Sequence, residues 1–251
     1  MPESRWFVPD PADVPGFTPQ ELRFAVTLSA ATEHLAGADN ADDLLWSAAD
    51  ADFTPAALVA GISFVERRAS GPSRLLLTFG VELHGDRVKG GRLDSQFYQL
   101  VDDGPPSLAF EATGDLESLA EQTAAWFESV LRRPVVRFDW LHDGELYASS
   151  YEFADTHEPM VYSYIRSKEP PGQYDQLVAT GHVAGRGWPQ LDGLPTPHHY
   201  TLLRGDRTLA DIPRGVKQTG SAPARLAPPW RALTRLRRLA RRRGPLGRGR
   251  R

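Results

Sequence analysis

The chain has 251 residues, of which 41% are hydrophobic, 10% aromatic and 24% charged, values of an ordinary globular protein with a core that needs no covalent staples. Cysteine is absent, which excludes disulfides, thiolate metal sites and a cysteine nucleophile, and no apolar run approaches the roughly 18 residues needed to span a bilayer. The formal net charge of −3 hides a segregation: residues 225–251 hold 11 arginines and no acid, leaving 18 basic groups against all 32 acids elsewhere, so a body of about −14 carries a tail of +11.

In chain order, residues 1–17 read as an N-terminal arm, ordered by contact or loose, because Pro2, Pro9, Pro11 and Pro15 remove backbone donors. Its acids and prolines are unlike a secretory leader, so a cytoplasmic protein is expected. The stretch TPQE predicts a helix start, with Thr18 as cap, Pro19 at the first position and Glu21 closing a capping box. Gly37 can end that helix, although the alternation of Leu22, Phe24, Val26 and Leu28 would also suit a strand. Residues 41–51, ADDLLWSAADA, read as a second short helix, with early acids at its positive end.

The middle of the chain is strand-rich. Gly61 to Arg68 and Arg74 to Leu83 read as strands joined by a Gly-Pro turn, and RVKGGRL, SQFYQLV and SLAFEA as shorter strands. Gly114 and Asp115 open a helix from Leu116 to Leu131, whose buried side is marked by Leu116, Leu119, Ala120, Thr123, Phe127, Val130 and Leu131, and Pro134 stops it. Three strands follow, 135–141, 145–153 and 159–166, with turns short enough to require antiparallel pairing. Residues 167–220 read as a Gly/Pro-rich extension packed on the sheet, with QLVAT and HHYTLL as strand candidates.

The fold class expected is α+β, an antiparallel sheet packed against helices. The order helix, helix, strand pair, helix, three strands resembles that of the cone-shaped NTF2-like fold, and a two-layer sandwich fits it equally. One α+β domain over residues 18–220, with its clearest unit at 107–166, would then stand between the arm and the tail.

Several motifs fail on their context. ATGHVAGRG (residues 179–187) has the glycine pattern of short-chain dehydrogenases, and Tyr164 and Lys168 have that family's catalytic spacing. No helix can follow the glycines through Trp188-Pro189, however, and the Tyr/Lys pair precedes them. The seven histidines show no metal spacing: His198 and His199 are adjacent, and His142 and His157 sit in turns beside Asp143, Asp155 and Glu158, as solvated turn residues do. No P-loop, nucleophile elbow or His-Glu-x-x-His occurs. Neither metal nor cofactor is expected.

Two features remain. The closing strands concentrate aromatics: alternation places Phe138 with Trp140, Tyr147 with Tyr151 and Phe153, and Tyr162 with Tyr164. If those faces coincide they form a slab, packed as core or open to a ligand or partner protein. Glu152 lies on the side opposite Tyr151 and Phe153, where burial would raise its pKa. The candidate sheet surface is thus Trp140, Tyr147, Tyr151, Glu152, Tyr162 and Tyr164. In the tail, residues 228–244 read as a basic amphipathic helix or a disordered segment, with Arg231, Arg235, Arg238, Arg241, Arg242 and Arg243 available to an anionic partner: an acidic protein, a nucleic acid or a membrane surface. The function expected is that of a non-enzymatic binding or adaptor protein. The alternatives are a pocketed ligand-binding protein or enzyme using Glu152, Tyr162, Tyr164 and His142, and a nucleic-acid-associated protein acting through the tail.

Overall fold

The computed structural model describes residues 5–35, 41–47, 58–67, 72–96, 98–102, 104–205, 208 and 210–221. The tail with its six candidate arginines lies outside the described residues. The first helix, α1 (Pro19–Ala31), starts at the predicted capping box: Thr18 Oγ1 accepts the Glu21 N–H at 3.2 Å, and Glu21 Oε2 accepts the Thr18 N–H at 2.7 Å. Two amides that a helix start leaves unpaired are thereby satisfied. The helix ends short of Gly37, where the Thr32 hydroxyl returns to the Leu28 carbonyl at 2.8 Å.

The first sheet is a five-stranded antiparallel meander in sequence order, β1 (Ala41–Ser47), β2 (Leu58–Glu66), β3 (Arg74–His84), β4 (Arg87–Arg92) and β5 (Phe110–Thr113). β1 corrects the expected second helix. It pairs with β2 residue for residue, from Ala41↔Phe64 to Ser47↔Leu58. Cap and propensity signals in so short a stretch are worth fractions of a kcal/mol per residue and yield to a sheet ladder. The correction also removes the element order on which the likeness to the NTF2-like cone rested; the chain instead runs helix, five-strand meander, helix, then the strands of a second sheet.

SQFYQLV is no strand either: among its described residues Leu100 forms an isolated β-bridge, to Leu93, and none belongs to a strand. Leu93, the partner in that bridge, packs on the first sheet, where Gly61 and Gly80 make room for it. A Cβ at either glycine would lie 2.9 or 2.7 Å from Leu93 Cδ1.

After α2 (Leu116–Leu131), whose bounds are those of the predicted periodicity and whose cap is Asp115 accepting from Ser118 N at 2.8 Å, come β6 (Val135–His142), β7 (Glu145–Phe153) and β8 (Glu158–Tyr164). The extension then forms α3 (Gln173–Ala179), a small hairpin of β9 (Val183–Ala184) and β10 (Trp188–Pro189), β11 (His199–Arg204) and β12 (Lys217–Ser221). QLVAT was expected as a strand and is helical. The turn at Gly172, φ +80°, starts α3, and only Leu177 of that run is fully buried, so an apolar run this short set no period. The glycines of ATGHVAGRG serve turns: Gly181, Gly185 and Gly187 have φ of +79°, +53° and +99° around the hairpin.

The second sheet has the order β12-β11-β6-β7-β8, antiparallel except where β11 meets β12. Its inner face contributes Val135, Tyr151 and Phe153 to one core shared with α1, α2 and the first sheet, where Phe79 packs edge-on to Phe127. Its outer face carries a second cluster, centred on Val136, Phe138, Trp140, Tyr147 and Tyr200 and covered by Leu191, Leu194, Ala210, Ile212 and Val216 of the extension. Antiparallel sheets packed with helices make this an α+β fold.

Candidate functional site

Strand alternation sorts the second sheet into two chemically different faces, and the candidate residues divide between them. Trp140, Tyr147, Glu152, Tyr162 and Tyr164 belong to the outer face; Tyr151 belongs to the inner. Tyr147 departs from the expected grouping with Tyr151 and Phe153. The register between β6 and β7 slips after Trp140, with Trp140 opposite Ala148 but Leu141 opposite Leu146, so Tyr147 is the extra residue of a β-bulge and turns outward. It meets Tyr164 edge-on at 5.9 Å. The aromatics therefore form no single slab.

Much of the outer face is closed by the chain itself. Trp140 Nε1 donates to the Pro195 carbonyl at 2.6 Å, and the Tyr164 hydroxyl donates to the Glu169 carboxylate, which together with burial raises the Tyr164 pKa. Tyr162, on the edge strand, stays 38% exposed.

Glu152 sits lower on that face, and burial raises its pKa against the pull of His157. The His157 imidazole bridges two acids, with Nδ1 2.9 Å from Glu152 Oε1 and Nε2 3.4 Å from Asp211 Oδ2, and the bond to Glu152 raises its pKa. The bridge ties the turn after β7 to the segment covering the outer face. We expect the His157 ring, followed by NMR, to titrate above the ~6.5 of a free imidazole and to return towards it in Glu152→Gln. Charged His157 is the form the fold favours, so its contribution to stability is complete below pH ~6.5 and is lost as pH rises through the raised value. An unshifted midpoint in the parent protein would contradict the bridge.

The inner face holds a network that joins the two sheets. Arg137 Nη1 donates to Glu66 Oε1 at 2.7 Å, from β6 to the end of β2, while Nε and Nη2 both reach Asp139 Oδ2, at 3.1 and 3.0 Å. Tyr151, opposite Arg137, donates to Glu66 Oε2 at 3.0 Å. Arg74, opposite Glu66 in β3, lies over the Tyr151 ring at 4.8 Å and donates to the Tyr162 carbonyl at 3.1 Å. Burial alone would lower the Arg137 pKa, but Asp139, Tyr151 and Glu66 together raise it, so the guanidinium stays charged. Burial raises Asp139 despite the pull of Arg137, and burial with the neighbouring Glu66 raises Tyr151.

A second clamp closes the far end of the sheet. Arg133 lies 3.6 Å over the Phe153 ring and holds Asp155 through two contacts of 2.8 and 2.9 Å, with Glu158 and Ser107 completing it. Among the described residues no three His, Asp or Glu side chains converge on a metal position, and no helix is long and apolar enough to cross a membrane.

No protein-family model, curated protein or solved structure matches this chain. Its chemistry is then carried by the residues alone. Glu66, Arg137 and Asp139 were not among the candidates from sequence, although a signal existed: VVRFDWL alternates apolar residues at 136, 138 and 140 with charged ones at 137 and 139. In a strand covered on both sides, that alternation demands a buried partner for the charges.

Proposed function

We propose that this protein is a non-enzymatic, cytoplasmic binding or adaptor protein, with an anionic α+β body and a cationic C-terminal segment that docks on an anionic partner. The observation that carries this reading is the segregation of charge, about −14 over residues 1–224 and +11 over residues 225–251. The fold is consistent with it. The ionisable clusters around Arg133, Arg137 and His157 each tie separate segments of the chain together. On the sheet itself, Tyr162 is the one candidate residue that is exposed and so open to a partner.

The test is co-sedimentation of the full chain with vesicles rich in acidic phospholipid, beside neutral vesicles and a duplex RNA. We expect binding to an anionic surface that weakens by about tenfold or more when salt is raised from about 50 to about 300 mM, and that is lost on deletion of residues 225–251. Undiminished binding after the deletion would remove the segment from the function. Preference for RNA over vesicles would identify a nucleic acid as the partner.

A further inference from the structure

Among the described residues Trp188 is the most exposed large hydrophobic side chain, at 67%. The register of the β9–β10 hairpin puts it there: Pro189, opposite Val183, is buried, so Trp188, opposite Ala184, faces out. The hairpin is held in place on α3. The His182 N–H donates to the Leu177 carbonyl of that helix, and the Gln190 N–H donates to the His182 carbonyl, both at 2.8 Å. The fold thus fixes an indole in water on a braced support.

Trp188 does not stand alone. The Tyr174 hydroxyl of α3 donates to the carbonyl of the adjacent Gly187 at 3.4 Å, and a Cβ at Gly187 would crowd that hydroxyl at 3.0 Å. Val178, one turn beyond Tyr174 on the same side of α3, is 52% exposed. Arg166 lies 3.7 Å over the Tyr174 ring, and Arg186, two residues before Trp188, is exposed. A single apolar side chain on a surface is ordinary; an indole, a valine and a half-buried phenol bordered by two guanidiniums form a patch. Its charge also departs from that of the body. Residues 166–190 carry Arg166, Lys168 and Arg186 against Glu169 and Asp175, a slight positive excess where residues 1–224 together carry about −14.

We propose that the face formed by α3 and the β9–β10 hairpin is a membrane-contact site, where Trp188 and Val178 enter the headgroup layer of an acidic phospholipid surface and Arg166 and Arg186 meet its phosphates. An indole suits that layer, because its ring is apolar while its Nε1–H finds polar partners there. A guanidinium pairs with phosphate through two parallel hydrogen bonds. The patch fits a single-stranded nucleic acid less well. Base stacking needs open ring faces, and Tyr174 is half-buried and capped by Arg166, which leaves Trp188 as the one ring of the patch open to a base. The contact is separate from residues 225–251 and stands whether or not they bind.

The test uses the full chain and vesicles of phosphatidylglycerol and phosphatidylcholine, brominated in the upper acyl chains so that an inserted indole is quenched. Trp188→Phe separates this residue from the other tryptophans. We expect the Phe variant to sediment with the vesicles as the parent does but to show less quenching at equal bound fraction. Trp188→Ala should weaken vesicle affinity by about fivefold, since interfacial binding scales with the apolar area inserted. Arg186→Gln should weaken it by a similar factor on acidic vesicles. Both positions are exposed, so the variants should fold as the parent does. Equal quenching in parent and Trp188→Phe would overturn the proposal even if the chain sediments through its C-terminal segment. So would unchanged affinity in Trp188→Ala, or failure of the full chain to sediment with acidic vesicles. Binding of a uridine oligonucleotide that is lost in Trp188→Ala would assign the patch to nucleic acid instead and overturn it equally.

Discussion

Phe7→Ala is expected to destabilise the protein by about 3–5 kcal/mol, the range for deleting a large aromatic from a packed interior. Phe7 is fully buried although it belongs to a proline-rich arm outside any helix or strand. Its ring stacks on Phe127 of α2 at 5.2 Å, and its amide donates to Asp43 Oδ2 of β1 at 2.8 Å. The backbone there has φ of +57°, a left-handed conformation that a bulky side chain adopts only when its surroundings hold it. With Trp6 at 3% exposure beside it, the arm acts as a plug in the shared core. Urea unfolding followed by tryptophan fluorescence measures the loss. Phe7→Leu should recover part of it by refilling volume, and a deficit below about 1 kcal/mol for the alanine variant would show that the arm packs outside the cooperative core.

Arg137→Met should cost about 2–4 kcal/mol at pH 7. Removing one partner of a buried ion pair leaves uncompensated charge, here on Asp139 and Glu66, and water reaching the Arg137 side chain, 29% exposed, keeps the loss below that of a fully buried pair. The deficit should depend on pH. Burial already holds Asp139 above its ordinary value against the pull of Arg137, and without the guanidinium it is held higher still. The folded variant then binds more protons than the unfolded chain, its stability climbs as pH falls from 7 towards about 5, and the gap to the parent narrows. Denaturant titrations at the two pH values decide the matter, since an equal deficit at both would mean that lost packing, not stranded charge, is the cause.

Local chemistry was legible where a short stretch holds both its signal and its partner. The capping box at Thr18 and Glu21, the α2 stripe from Leu116 to Leu131, and the three strands after Pro134 all rest on contacts within a few residues or on an unbroken period. Residues 41–47 and QLVAT failed for the opposite reason: each is too short to hold a period, so a distant ladder with β2 decided the first and local turn geometry at Gly172 the second. Tyr147 failed by one residue, because a bulge reverses the face of a side chain and leaves no trace in composition. Glu152 was legible as an acid whose burial depended on which face of the strand it took, with a water-reaching strand end as the favoured reading; its bridge through His157 to Asp211 spans 59 residues of sequence between its ends and could not be read from the strand.

By itself the amino-acid sequence determined the charge segregation between body and tail, the caps and stripes of the long helices, and the α+β class, because each follows from residue types and near-neighbour spacing. Only the tertiary structure decided that the strands form two sheets sharing one core, that Phe7 plugs it, and that Glu66 is brought to Arg137. Those juxtapositions depend on strand order and register, which are set by packing across the whole chain, and no local pattern encodes them.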